Sequence, residues 1–304
     1  MSRIAPNGSA IRFAYALIFL LVNACGDATP RAPLPHACPV ESLTLPPPSK
    51  PALTFVLVDR SDSYVEHIRP GLLLMAELIS TAQPGERIIG AWVGGRSGQP
   101  TETFFNQRLP LIPLPEIPAP PTAPSYEAKQ TEGGKVKADR QFKVACKEYQ
   151  ERHSSWRAAT MLQITRWNTE QNQAHRAFVE AAQAQVRNQA FEIDRTGTLI
   201  QEALFDAATA FARSLDGAPY ERKALIIFSD MVEFRSGRRD ADRIDLRGVR
   251  VVAAGVPYDR PKDFSDLEVR WTKQFEGYQV TSIEVLPVRS STVDAISARL
   301  KGKP

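Results

Sequence analysis

Residues 53–63 read Leu-Thr-Phe-Val-Leu-Val-Asp-Arg-Ser-Asp-Ser, an apolar run that ends abruptly in a polar turn. Residues 53–58 carry β-branched and aromatic side chains without polar alternation, which is typical of a strand buried on both faces of a parallel sheet. Further runs of this kind lie at residues 87–93, 223–229, 249–254 and 279–288. The sequence therefore predicts a buried, mostly parallel sheet.

Helical patterns separate these runs. Apolar side chains recur at helical spacing over residues 70–82, 199–211 and 266–275, and Pro70 suits the first turn of its helix. Alternation of strands and helices predicts an α/β fold with a doubly wound, mostly parallel sheet, Rossmann-like in its layers. We place this domain at residues 52–290 and a C-terminal tail at 291–304.

An insertion interrupts the alternation at residues 105–190. Seven of the 24 Pro fall within residues 110–124, and residues 135–196 then contain neither Gly nor Pro. This composition predicts a long helical segment, which we expect to form two antiparallel helices or one helix that folds back onto the sheet. It serves either as a partner-binding arm or as packing on the domain, and the sequence leaves both readings open.

The N-terminus has the layout of an export signal. Arg3 and Arg12 precede an apolar run at residues 13–22, which is too short to span a bilayer. Residues 21–25, Leu-Val-Asn-Ala-Cys, resemble the lipobox of bacterial lipoproteins, although Asn23 fits its position imperfectly. The resemblance implies a signal peptide at 1–24 and a lipid on Cys25, so that the chain faces the periplasm from a membrane of the cell envelope. A plain signal peptide, cut nearby, is the alternative.

Residues 25–51 contain eight Pro and no hydrophobic periodicity, which predicts an extended tether. With Cys25 lipidated, two cysteines remain, Cys38 and Cys146. An oxidising compartment permits a disulfide between them, while two thiols that never meet are the alternative. Without Arg3 and Arg12, 36 basic residues face 34 acidic ones, and this balance gives no indication of a nucleic-acid partner.

The polar turn after the first strand carries the candidate chemistry. Asp59, Ser61 and Ser63 lie at the carboxyl end of a predicted parallel strand, where α/β sheets bind their ligands. Short oxygen side chains at alternate positions of one turn suit a hard divalent cation such as magnesium. One carboxylate and two hydroxyls are too few to close such a site, so other residues must contribute.

The Asp-x-Ser-x-Ser pattern after a hydrophobic strand resembles the metal-ion-dependent adhesion site (MIDAS) of the von Willebrand factor A domain. That family adds a Thr from a loop before a helix, which Thr198 matches, and an Asp after a later strand, which Asp230 matches. The resemblance implies that Ser61, Ser63 and Thr198 contact Mg²⁺, Mn²⁺ or Ca²⁺ or its waters. It also implies that Asp59 and Asp230 act largely through water, which leaves a position open for a partner's acidic side chain.

Two departures from the family are plain. Asp230 is followed by Met231, whereas the family often has Asp-Gly there, and family members usually lack a long insertion before the Thr loop. We expect a lipid-anchored binding protein and no enzymatic activity. One alternative is a magnesium-dependent phosphatase or hydrolase with Asp59 as nucleophile, but that chemistry needs a second acid where Ser61 stands. The other is a structural subunit of an envelope assembly, held by the helical insertion.

Overall fold

The computed structural model describes residues 37–94, 100–127, 129, 131–215, 218–232, 243–259 and 261–302. These residues form two compact units, one of residues 37–41 and 121–152 and the other of the remainder. In chain order the elements are β1 (Ala52–Asp59), α1 (Val65–Ile79), β2 (Arg87–Val93), β3 (Glu102–Arg108), α2 (Glu132–Arg187), α3 (Ile200–Ala212), β4 (Ser214–Leu215), β5 (Ala218–Pro219), β6 (Arg222–Phe228), β7 (Val249–Val256), α4 (Pro261–Gly277), β8 (Ser282–Pro287) and α5 (Val293–Leu300).

The second unit contains a six-stranded sheet in the order β3-β2-β1-β6-β7-β8. All neighbouring pairs are parallel except β2 and β3, which are antiparallel. The chain moves outward from β1 to β2 on one side and later returns to β6 on the other, so the strand order reverses at β1. The α/β class is confirmed, and this reversal creates a crevice at the carboxyl ends of β1 and β6.

Alternate side chains of β1 enter the two layers of the core. Leu53, Phe55 and Leu57 pack into a cluster that contains the apolar faces of α3 and α4. Val56 and Val58 pack on the opposite side with α1 and α5. The strand is therefore buried on both faces, as its unbroken apolar run indicates.

Three elements differ from the sequence expectation. Helix α1 begins at Val65, so the prediction that Pro70 occupies a first turn is wrong. Proline has no backbone N–H, so Pro70 cannot donate the usual helical hydrogen bond to the carbonyl of Glu66. Pro70 is exposed, so water can bind that carbonyl instead. Strand β3 was not expected, and α5, with Ile296 buried, lies in the expected C-terminal tail.

Helix α2 is one continuous helix of 56 residues, so the predicted long helical insertion is confirmed and the alternative of two antiparallel helices is wrong. Ala182 and Val186, near its end, pack in the same core cluster as β1. At 1.5 Å per residue it is about 84 Å long. After Gly134 it contains neither Gly nor Pro, so no residue forces a turn. No helix among the described residues has both the length and the apolarity that a membrane span requires.

The Pro-rich segment 110–118 lies along α2, and we call it the strap. The hydrogen bonds that hold it are Trp167 Nε1 to the carbonyl of Ile112 (2.9 Å), Trp156 Nε1 to that of Pro118 (2.8 Å), Gln171 Nε2 to that of Pro110 (2.9 Å) and the Ile112 amide to Gln171 Oε1 (2.8 Å). Trp156 and Trp167 are eleven positions apart on the helix, about 17 Å, and their acceptors, Pro118 and Ile112, are six positions apart, a distance of about 20 Å for an extended chain. The two spacings match, so α2 donates to the strap at regular intervals.

In the first unit, residues 37–41 and the first part of α2 are covalently joined. Cys38 and Cys146 form a disulfide with their Cα atoms 5.5 Å apart. Gln150 Nε2 donates to the carbonyl of Pro39 (3.0 Å), and Tyr126 packs edge-on against Phe142. These contacts occupy one face of the helix.

Candidate functional site

Asp59 is the last residue of β1 and its side chain is completely buried. Its Oδ1 accepts a hydrogen bond from the Ser61 amide (2.9 Å), and its Oδ2 accepts one from Ser229 Oγ (2.7 Å). Thr198 Oγ1 lies 3.4 Å from both carboxylate oxygens. Burial raises the pKa of Asp59, and the bonds from Ser229 and Ser61 oppose that rise.

The hydroxyls of Ser61 and Ser63 lie side by side. Ser61 is buried and Ser63 is exposed, and their Oγ atoms are 3.1 Å apart. The turn that presents them is closed by the Tyr64 amide, which donates to the Ser61 carbonyl (3.1 Å). One short turn thus aims two hydroxyl oxygens in the same direction, beside Asp59.

Thr198 is brought to Asp59 by the loop before α3. The Asp194 amide donates to the carbonyl of Arg60 (2.8 Å), and the Leu199 amide donates to that of Gly94 at the end of β2 (3.1 Å). These bonds fix the loop at both ends against the carboxyl edge of the sheet. Thr198 is therefore buried, although 139 residues separate it from Asp59.

Asp230 follows β6 and completes the predicted set. It is 7% exposed, its Oδ1 accepts a hydrogen bond from the Val232 amide (2.9 Å), and its charge contributes to the raised pKa of Asp59. Met231 adopts a φ of 58°, the left-handed conformation that favours glycine. Met231 stands where the resembling family often has Gly, and it adopts the left-handed conformation that a Gly would adopt easily.

Two bonds hold Met231 in this conformation. Its amide donates to Ser229 Oγ (3.0 Å), and its carbonyl accepts from Trp271 Nε1 (2.8 Å). The structure thus brings Asp59, Ser61, Ser63, Thr198 and Asp230 to one place at the carboxyl edge of the sheet. The disulfide cysteines lie in the first unit, and Cys25 lies outside the described residues.

Sequence reasoning missed Ser229 and Tyr64. Ser229 is fully buried and links the two aspartate loops, a role that its position between the end of β6 and Asp230 could have suggested. Tyr64 Oη donates to the carbonyl of Gly255 (3.1 Å), and burial, with the charges of Asp59 and Asp230, raises its pKa. Gly255 has a φ of 72°, and a Cβ there would lie 2.6 Å from Tyr64 Oη, so a glycine is required.

The donor set fits a hard cation. In the described part of the chain, neither Asp59 nor Asp230 is paired with a lysine or an arginine, although both are buried. Two ligands at 2.1 Å from an octahedral magnesium ion are about 3.0 Å apart, close to the separation of the two serine hydroxyls. The described residues contain no cluster of three His, Cys, Asp or Glu side chains placed for a metal.

A cavity of about 770 Å³ opens beside this turn. Its wall includes Arg60, whose Nη1 donates to Glu102 Oε2 (2.7 Å), and residues of the loop that carries Thr198. Apolar side chains also line it, among them Trp92 and Phe191, whose rings are 5.9 Å apart. The cluster therefore lies next to a recess and not on a flat surface.

The fold and site define an α/β domain with a cluster of oxygen-bearing side chains at its topological switch point. No family model matches the chain, and no curated protein matches it. Solved structures with 12% sequence identity do match over 83% of this chain: an aerotolerance-related membrane protein from Bacteroides fragilis (99% of that chain, TM-score 0.39), von Willebrand factor type A from Catenulispora acidiphila (43%, 0.43) and conserved hypothetical protein BatB from Bacteroides thetaiotaomicron (98%, 0.38). At this identity the similarity concerns the fold alone.

Proposed function

We propose that this chain is an exported, lipid-anchored binding protein with a von Willebrand factor A-like domain. In this proposal the cluster around Asp59 holds a divalent cation, magnesium in the first place, and binds an acidic side chain of a protein partner. The observation that carries the proposal is the pair of buried carboxylates, Asp59 and Asp230, which lack a cationic partner among the described residues. Burial of unpaired negative charge is costly, and a bound cation would offset that cost.

Each residue of the cluster has a distinct role in this proposal. Ser61, Ser63 and Thr198 offer hydroxyl oxygens to the ion, while Asp59 and Asp230 hold its water ligands and balance its charge. Ser229 keeps the carboxylate of Asp59 in place through its 2.7 Å hydrogen bond. When bound, the ion would supply a positive charge to a partner's carboxylate in a partly desolvated site, where such an interaction is stronger than in water.

The cluster favours binding over catalysis. An aspartyl nucleophile of the phosphatase kind works with a second acid two positions later, and that position is Ser61, whose hydroxyl contacts Ser63. Asp59 is also fully buried beneath the turn, which hinders its attack on a phosphate ester. We therefore propose that the protein is not an enzyme.

The disulfide supports the export part of this proposal. Cysteines Cys38 and Cys146 are paired, and such bonds persist in oxidising compartments such as the bacterial periplasm. The residues of the predicted signal and of Cys25 lie outside the described part of the chain. Lipid attachment at Cys25 thus stands as a proposal from the sequence.

Calorimetric titration with MgCl₂ tests the metal site. The chain from Gly26 onward contains every described residue, and we expect it to bind one Mg²⁺, whereas Asp59→Asn shows no binding. Asp62→Asn is the matched control because it removes the same charge from the same turn, but at an exposed side chain. Equal Mg²⁺ affinity of the wild-type chain and Asp59→Asn would overturn the proposed site.

Partner binding and catalysis are separated by two further measurements. Capture of a partner from envelope extract should require Mg²⁺ and be lost with EDTA, in the wild-type chain and in Asp62→Asn alike. Hydrolysis of p-nitrophenyl phosphate should be absent. Turnover that disappears in Asp59→Asn would instead establish the hydrolase alternative.

A further inference from the structure

The part of α2 that belongs to the first unit has two unlike faces. One face carries Phe142, Cys146 and Tyr149, of which Tyr149 is buried, Phe142 packs against Tyr126 and Cys146 is bonded to Cys38. The other face carries three basic and two apolar side chains, which we call the basic stripe: Val136, Arg140, Lys143, Val144 and Lys147. At 100° per residue these five positions fall within an arc of about 100°.

Every member of the basic stripe is exposed. Val136 is 70% exposed and Val144 is 56% exposed, and the three cations between and beyond them are exposed as well. Among the described residues, none of the three cations takes part in an ion pair or a hydrogen bond. Glu132 and Glu151 lie beyond the two ends of the stripe, and its three cations extend over about two helical turns.

The disulfide brings the N-terminal tail to this segment. Cys38 is bonded to Cys146, which is adjacent in sequence to Lys147. Cys38 lies thirteen positions after Cys25, the site of the proposed lipid, and a chain of that length reaches at most about 45 Å. A helix whose tail is anchored within that distance of a bilayer can touch its surface.

We propose that the basic stripe binds the anionic headgroups of a phospholipid bilayer, so that the first part of α2 lies on the membrane. Three unpaired cations complement a negatively charged surface, and two exposed valines can enter the interfacial layer between the headgroups. This surface and its partner are distinct from the Asp59 cluster. The charge complementarity is independent of the lipid on Cys25, whereas the reach of the tail to the bilayer depends on that proposed lipid.

Vesicle co-sedimentation tests the proposal with the chain from Gly26 onward, which carries no lipid. Vesicles contain either phosphatidylcholine alone or phosphatidylcholine with about one third phosphatidylglycerol. We expect binding to the anionic vesicles and little to the neutral ones. Because each basic side chain near an anionic surface contributes about fivefold to partitioning, the triple variant Arg140→Gln, Lys143→Gln, Lys147→Gln should bind about a hundredfold more weakly.

A matched control triple removes the same charge elsewhere: Arg166→Gln, Lys262→Gln and Lys273→Gln, all at exposed positions. It should bind nearly as the unaltered chain does, and 0.5 M NaCl should release the unaltered chain from the vesicles. Equal binding to neutral and anionic vesicles, or equal loss in the two triples, would overturn the proposal. Failure of the unaltered chain to bind anionic vesicles would overturn it too, and would favour an acidic protein on this face, while Mg²⁺ binding at Asp59 would be unaffected.

Discussion

Replacement of Ser229 by alanine tests whether the Asp59 cluster is held as described. Ser229 is fully buried, donates to Asp59 Oδ2 at 2.7 Å and accepts from the Met231 amide at 3.0 Å. The change leaves the Met231 amide without its partner and leaves Asp59 Oδ2 with only the long contact to Thr198 Oγ1 at 3.4 Å. Such a loss costs about 1–3 kcal/mol per group, so Ser229→Ala should lower the free energy of unfolding by about 2–5 kcal/mol.

The loss should depend on pH. Burial raises the pKa of Asp59, and the bond from Ser229 is the largest effect that opposes the rise. A carboxyl whose folded-state pKa exceeds its unfolded value favours folding at low pH, and that contribution disappears as the pH rises through the folded-state pKa. Without Ser229 the folded-state pKa of Asp59 rises further, so the deficit of Ser229→Ala should be larger at pH 7.5 than at pH 4.

Urea unfolding in EDTA, followed by tryptophan fluorescence at both pH values, measures this difference. The midpoint at pH 7.5 should fall by about 1 M or more. Ser265→Ala is the control, because Ser265 is exposed on α4 and its loss should change stability by less than about 0.5 kcal/mol. A deficit below about 1 kcal/mol for Ser229→Ala, or one that is the same at pH 4 and pH 7.5, would refute the reasoning.

Two further changes address the strap and the anchor. Trp167→Phe keeps the aromatic packing but removes the donor to the Ile112 carbonyl. Loss of this hydrogen bond should lower the local opening free energy by about 1 kcal/mol, so hydrogen exchange at the Ile112 amide should accelerate about fivefold. Unchanged exchange would argue against the strap. Cys25→Ala should abolish incorporation of radiolabelled palmitate and leave Mg²⁺ binding intact, whereas labelling that persists would contradict lipid attachment at Cys25.

The elements that the sequence predicts well are those in which local pattern and tertiary burial agree. The apolar run before Asp59 forms a central strand because both of its faces meet a helical layer. Once strands β1 and β6 are parallel neighbours, Asp59 and Asp230 must meet at the same edge. The candidate cluster could therefore be assembled from strand ends and loop residues, without any knowledge of distances.

What the sequence could not supply depends on partners that are distant along the chain. Strand β3 is an exposed edge strand with the mixed sequence Glu-Thr-Phe-Phe-Asn-Gln-Arg, so its pairing with β2 determines its structure more than its own pattern does. Ser229 looks like any polar residue at a strand end until Asp59 is placed across from it. Helix α2 was expected to fold back because a single helix of about 80 Å extends beyond the domain that it could pack against.

The strap also constrains how the length of α2 can change. From Trp156 to Trp167 the helix turns by three full turns and about 20°, so both indoles lie on the same face of α2 and donate to the strap. A shorter helix between Trp156 and Trp167 would thus keep both indoles at the same carbonyls only if the strap between Ile112 and Pro118 became shorter as well. Deletion in α2 alone would rotate its indoles away from their acceptors, so the two segments can change length only in step.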